Sequence, residues 1–152
     1  METYSRAPFL GAGIDAEFVQ DNESLSVNTG TLRGLHFQRE PAVQAKLVRV
    51  IQGTVFDVAV DIRPGSPTYG RWCGVSLTAD GREQLFVPGG FAHGFVTLEP
   101  NTIVAYKVNA PYTPAAEGGI RWNDPSLKID WPLPAGGPIL AERDSQLPFL
   151  TA

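Results

Sequence analysis

The chain predicts an all-β fold, a sandwich or barrel of the jelly-roll kind, and three observations predict it. Strand-like segments recur about every 8 to 12 residues with Gly, Pro or Asn between them. β-Branched residues concentrate in KLVRVIQGTVFDVAVDI, residues 46–62, where Val48, Val50, Val55, Val58, Val60 and Ile62 give strong strand propensity. Helical periodicity is almost absent. With 152 residues the chain fits a single domain, 1–152, large enough to bury about two-thirds of its unfolded surface in one core.

Taken in order, the elements are these. Residues 4–11 predict a short helix. TLRGLHFQ, residues 31–38, is a turn opening into a strand. Residues 46–62 predict two adjacent strands, with Gln52-Gly53 as the turn between them. RPGSPTYG (63–70) is a loop, WCGVSLT (72–78) a strand and ADG (79–81) a tight turn. EQLFVP (83–88) predicts a strand, PGGFAHG (88–94) a turn, and FVTLEPN (95–101) a strand ending in a turn. TIVAYKVNAPY (102–112) closes the series. Beyond residue 112 Pro, Gly and Trp dominate, and this stretch predicts a wrapping segment with its Trp side chains docked on the barrel.

Composition narrows the function classes. A formal charge of −4 argues against broad nucleic-acid binding, which needs a basic face. A local pocket for a small anion needs only two or three arginines and stays open. Cys73 is the only cysteine, so the chain has neither an internal disulfide nor a Cys-based zinc site. No apolar run approaches the roughly 20 residues of a membrane span, and no signal peptide opens the sequence. A cytoplasmic protein is expected.

His36 and His93 are the only histidines. Both stand at turn-to-strand positions in apolar surroundings, and three readings are open: core histidines satisfied by neighbours, metal ligands, or acid–base catalysts. Metal-binding cupin barrels place histidines on comparable strands, and Pro88-Gly-Gly90-Phe-Ala-His93 matches their later segment. Their earlier segment is broken here, because Gln38 stands where a second histidine belongs. Two histidines without a matching carboxylate are a poor set for a first-row metal. Alternation along KLVRV puts Lys46 on one face with Val48 and Val50, hence inside the barrel. A desolvated lysine is costly unless it meets an anion, or an oxygen that becomes one during reaction. His, Lys and Tyr106 around one apolar cavity would form a set for proton abstraction beside a carbonyl, with no cofactor required.

Several separated motifs in order and spacing, GTLRGLHFQ, QAKLVRVIQGTVFDVAVDIRPGSPTYGRW, FVPGGFAHGFVTL and EGGIRWNDPSLKIDWPL, resemble the dTDP-4-dehydrorhamnose 3,5-epimerase family. The similarity runs over nearly the whole chain. It implies a cupin-like jelly-roll barrel, a cytoplasmic homodimer working without metal or cofactor, and inversion of C3 and C5 of a thymidine-diphosphate 4-keto sugar on the route to L-rhamnose. Relatives in antibiotic-sugar pathways invert one centre only, and a non-catalytic sugar-nucleotide binding module is the alternative from another class. By position, the resemblance implies His36 as base, Asp144 of AERDSQLP as its carboxylate partner, Lys46 at the C4 oxygen and Tyr106 as acid. It implies His93 at the sugar and Gln20, Asn22 and Arg33 at the nucleotide. Glu117 matches another ligand contact, Arg143 a further phosphate contact, and Tyr112 a thymine-stacking position. Family members begin with a strand carrying D-x-R-G-x-F-x-E. Glu2 matches its final Glu and is expected to bind ligand, whereas the preceding Arg and Phe have no counterpart here. Loss of that Arg is expected to weaken nucleotide binding by about 1.5–3 kcal/mol.

Overall fold

The computed structural model describes residues 1–151. Among the described residues nine strands make two antiparallel sheets. A four-stranded sheet runs β1-β8-β3-β6, built from Gln20–Ser26, Thr102–Val108, Lys46–Gln52 and Gln84–Val87. A five-stranded sheet runs β5-β4-β7-β2-β9, built from Trp72–Thr78, Thr54–Asp61, Phe91–Thr97, Leu32–Gln38 and Glu117–Gly119. This is the all-β fold that the strand spacing predicts, and the cupin-like form that the family resemblance implies. Helices are minor: α1 covers Arg6–Gly11 and α2 covers Glu142–Ser145. Among the described residues no helix is long and apolar enough to cross a membrane.

Two departures from the sequence reading have physical causes. PGGFAHG was expected as a turn, yet Phe91–Gly94 already belong to β7. There Gly94 pairs with Val58 of β4, and the bend is confined to Pro88–Gly90. Strand β1, QDNESLS, carries no apolar alternation, so its pattern gives no strand signal. The register explains why: Gln20, Asn22 and Ser24 stand opposite Val108, Tyr106 and Val104 of β8, on the sheet face turned to the interior. That inward row is polar because it borders a cavity, whereas Val48, Val50 and Val104 of the inward rows of β3 and β8 fill the core.

The core has two parts. Between the sheets, Val48, Val50, Val55, Ala59, Leu77, Val87, Phe95 and Val104 pack together. On the other side of the five-stranded sheet, Leu32, Leu35, Val58, Val60, Ala92 and Val96 are covered by Ile120, Leu127 and Trp131. Each of the larger side chains (Val, Leu, Ile and Phe) contributes about 1.5–3 kcal/mol on burial. The wrapping segment is fastened by packing and by a barrel indole. Trp131 is buried in this outer core with Trp122 against it. Trp131 Nε1 donates to the Trp122 carbonyl within the segment at 2.9 Å, and Trp72 of β5 donates Nε1–H to the Leu127 carbonyl at 3.0 Å. The expected docking of Trp side chains on the barrel is therefore observed.

Candidate active site

Strand β2 delivers the first functional side chain by breaking its own alternation. Arg33 and His36 are three positions apart, so a regular strand would point them to opposite faces. A register shift between them adds a residue: Arg33 pairs with Phe95 and His36 with His93, both on the inner face. Leu32 and Leu35 meanwhile reach the outer core. Gly34 sits at the bulge with φ +109, and a Cβ there would lie 2.6 Å from the His93 carbonyl oxygen and 2.8 Å from the Gly94 Cα. Only glycine satisfies both the dihedral and the close approach.

His36 Nε2 lies 2.7 Å from Asp144 Oδ1, and Asp144 Oδ2 accepts the Gly34 N–H at 3.1 Å. The carboxylate therefore holds both the ring and the backbone that aims it. With Nε2–H donating to Asp144, Nδ1 carries the free lone pair. Burial raises the Asp144 pKa, but the hydrogen bond and charge of His36, the Gly34 N–H and the charge of Arg143 outweigh it and hold the group below the usual carboxylate range. The His36 side chain keeps 25% of its surface exposed and Asp144 only 4%, so the ring is reachable and its partner is not.

A second histidine–carboxylate pair stands beside the first. His93 Nε2 lies 2.8 Å and 3.0 Å from the two oxygens of Asp57, which is fully buried on β4. The sequence reading missed Asp57, which looks like an ordinary polar residue in a β-branched run. Its signal was there: a carboxylate pointing inward between Val55 and Ala59 needs a buried partner.

Lys46 enters from β3, as alternation predicts, and is buried with its Nζ 5.7 Å from the Tyr106 ring centroid. Burial lowers its pKa from 10.5 to about 8, opposed by the charges of Asp57 and Glu117. Tyr106, from β8, is pushed the other way, upward, by burial, partly countered by Arg33. The phenol accordingly holds its proton. Arg33 is braced by Ser26 Oγ and the Leu25 carbonyl, each at 3.2 Å.

These groups line a cleft with two lobes. One, of about 210 Å³, is walled by Arg33, His36, Lys46, His93, Tyr106 and Asp144. The other, of about 250 Å³, shares His36, Lys46, Tyr106 and Arg143 with it and adds Gln20, Asn22, Tyr112 and Glu117. At its rim Tyr112 Oη donates to Glu117 at 2.9 Å, Arg143 pairs with Glu117 at 3.1 Å, and Gln20 Nε2 donates to Asn22 Oδ1 at 2.9 Å. Eleven of the twelve site residues expected from the sequence thus line one continuous cleft. Glu2 does not: it is exposed and lines neither lobe, and its neighbour Thr3 is tied by its carbonyl to Gln84 on β6. A larger depression, about 310 Å³, lies on the outer face of the four-stranded sheet and contains neither histidine. The donors also bear on a metal: among the described residues no three His, Cys, Asp or Glu side chains are grouped as ligands, and each histidine is engaged by its own carboxylate.

The arrangement can remove and return protons. It offers a histidine base with a buried counter-ion, a lysine to meet a developing oxyanion, and a protonated phenol on another strand. Comparison with known proteins identifies the family. The sequence matches the dTDP-4-dehydrorhamnose 3,5-epimerase family over residues 1–152. It is 53% identical over 136 residues to the dTDP-4-dehydrorhamnose 3,5-epimerase of Sinorhizobium fredii, covering 90% of this chain and 69% of that protein. The fold superposes with a TM-score of 0.95 on the crystal structure of the Bacillus anthracis epimerase with TDP and PPi bound, at 49% identity, covering 98% of this chain and 84% of that one. It also superposes with a TM-score of 0.90 on the Legionella pneumophila epimerase in complex with dTDP-4-keto-L-rhamnose, at 43% identity, covering 99% and 85%.

Proposed function

Because the chain belongs to the dTDP-4-dehydrorhamnose 3,5-epimerase family, we propose that this enzyme inverts both C3 and C5 of dTDP-4-dehydro-6-deoxy-D-glucose to give dTDP-4-dehydro-L-rhamnose. The observation that carries the reading is the His36–Asp144 pair opening on the same cavity as Lys46 and Tyr106.

The C4 carbonyl acidifies the hydrogens on both neighbouring carbons. His36 Nδ1 takes one of them, and Asp144 stabilises the resulting imidazolium through Nε2–H. Electron density moves onto the C4 oxygen, where the Lys46 ammonium meets the enolate; groups of this kind are worth about 10²–10³-fold in rate. Tyr106 delivers a proton to the opposite face of the carbon, which inverts the centre. His36 then returns its proton to solvent and Tyr106 is reprotonated. The sequence is redox-neutral and repeats at the second centre. His93, held by Asp57, would hydrogen-bond a sugar oxygen from the β7 side. Arg33 and Arg143 supply the positive charge for the diphosphate, and Gln20, Asn22, Tyr112 and Glu117 border the space for the thymidine. One domain, residues 1–152, carries all of these groups, and the active form is a cytoplasmic homodimer in this reading. Glu2 would then reach a ligand only across that dimer.

The test is solvent deuterium incorporation into the purified 4-keto nucleotide. Label at C3 and C5 is expected; label at one carbon alone would make this a single-centre epimerase. Tight thymidine diphosphate binding with no exchange would reduce the chain to a binding module.

A further inference from the structure

Asp144 is a late residue in the chain, and what holds it in place lies outside the cleft. It sits on α2, a helix of four residues with no buried apolar side chain of its own. Upstream, the chain is fixed by backbone and by one apolar contact: Leu32 N–H donates to the Ile139 carbonyl at 2.9 Å, the Ile139 N–H donates to the Gly30 carbonyl at 2.8 Å, and Leu140 packs against the outer core. Downstream, residues 146–150 form a strap fastened by two side chains from the turn that follows β9. Arg121 Nε donates to the Leu147 carbonyl at 2.9 Å, while its backbone N–H donates to Pro148 at 2.8 Å. Its guanidinium lies 4.9 Å from the Phe149 ring centroid. Asp124, only 3% exposed, accepts Ser126 N–H and Oγ–H on Oδ1 at 2.7 and 2.6 Å and the Leu150 N–H on Oδ2 at 2.6 Å. Leu147 seats against Gly119, where a Cβ would lie 2.6 Å from its methyl carbon.

We propose that Asp124 and Arg121 are positioning residues for the base: by clamping the 146–150 strap they fix α2 and keep the Asp144 carboxylate on His36. The inference rests on the reading of His36 as the base. A buried carboxylate committed to a single strap N–H through one oxygen is a directional anchor, and misplacement of a catalytic partner by about 1 Å can cost on the order of 10²-fold in rate. The clamp touches neither cleft lobe and reaches the cleft only through α2, which carries Asp144 and its neighbour Arg143.

The two histidines give a direct readout, because His93 and its partner Asp57 belong to β7 and β4 and do not contact the strap. In full-length protein with ¹⁵N-labelled imidazoles, Asp124→Asn places an amide against the Leu150 N–H without changing shape. It is expected to lower the exchange kcat about 10-fold or more, a loss separate from any rise in KM that Arg143 on the same helix brings. The His36 ring N–H should lose its protection from solvent exchange while the His93 signal stays unchanged. In an Asp144→Ala background the same substitution should add less than about 2-fold. Equal loosening of both histidines, or the same fold-loss with and without Asp144, would make the clamp a general stability feature and overturn the proposal. Arg121→Ala, read by the same signals with a smaller loss, decides the matter if Asp124→Asn fails to fold. A wild-type chain without exchange would sink the epimerase reading, and the imidazole signals would still decide the clamp.

Discussion

Burial of Lys46 lowers its pKa from 10.5 to about 8, and the charges of Asp57 and Glu117 offset only part of that. Below about pH 8 the folded protein carries this ammonium in a desolvated site. Between about 8 and 10.5 the unfolded chain binds the extra proton, so this contribution to stability rises with pH, by about 3 kcal/mol across the window. In the proposed mechanism activity runs the other way, since the enolate needs the charged form: kcat/KM should fall on the alkaline side of about pH 8. Lys46→Met should therefore abolish exchange and, in urea unfolding at pH 7, raise stability by about 1–3 kcal/mol. A destabilised variant would show that Lys46 is structurally paired. Tyr106 offers a cleaner division of labour. Its proton is held by burial, so Tyr106→Phe should still wash substrate hydrogen into solvent through His36. Inversion, followed by NMR of the sugar, should drop by about 10²–10⁴-fold.

Within elements, β2 shows how far pattern reading extends and where it stops. The β-branched strands β3 and β4 were legible because their inner faces fill the core, and Lys46 could be placed inside by counting. The bulge at Gly34 was not legible, because alternation sends Arg33 and His36 to opposite faces and only tertiary register reverses this. Strand β1 escaped for a related reason, its inner row being polar to suit a cavity. The resemblance to a known family placed His36, Arg33 and Asp144 together where periodicity could not. Asp57 escaped both routes: alternation with Val55 and Ala59 turns its carboxylate inward, but the histidine that it meets is 36 residues away. Gly34→Ala tests the bulge: it adds a collision with the His93 carbonyl and strains φ at once. A loss of about 2 kcal/mol or more in unfolding free energy is expected, with His36-dependent exchange falling further than stability alone explains. A variant as stable and as active as wild type would remove the bulge from the account.

For the molecule as a whole, three buried carboxylates set the behaviour in acid. Asp61 is held far below the usual range, chiefly by the Arg63 side chain and by Ser66 and Thr68, against the opposing effect of burial. For Asp124 and Asp144 burial pushes upward and is outweighed, by Ser126 and backbone N–H groups in one case and by His36, Gly34 and Arg143 in the other. Each depressed pKa contributes stability that is fully present above the unfolded value near 4 and is lost as pH falls below it. Thermal melts should therefore hold steady from neutrality to about pH 5 and decline steeply below about pH 4. Asp61→Asn should flatten that decline, and an unchanged acid slope would exclude Asp61 as a contributor.

The two histidine pairs also differ in when they can exist. His93 finds Asp57 across 36 residues of sequence, and His36 finds Asp144 across 108. During synthesis, which runs from the N-terminus and lets structure form as it goes, the first pair can close once β7 has left the ribosome. The His36 pair must wait until residue 144 follows. In the proposed mechanism, a nascent chain stalled after β8 would hold His93 in place and still be chemically silent.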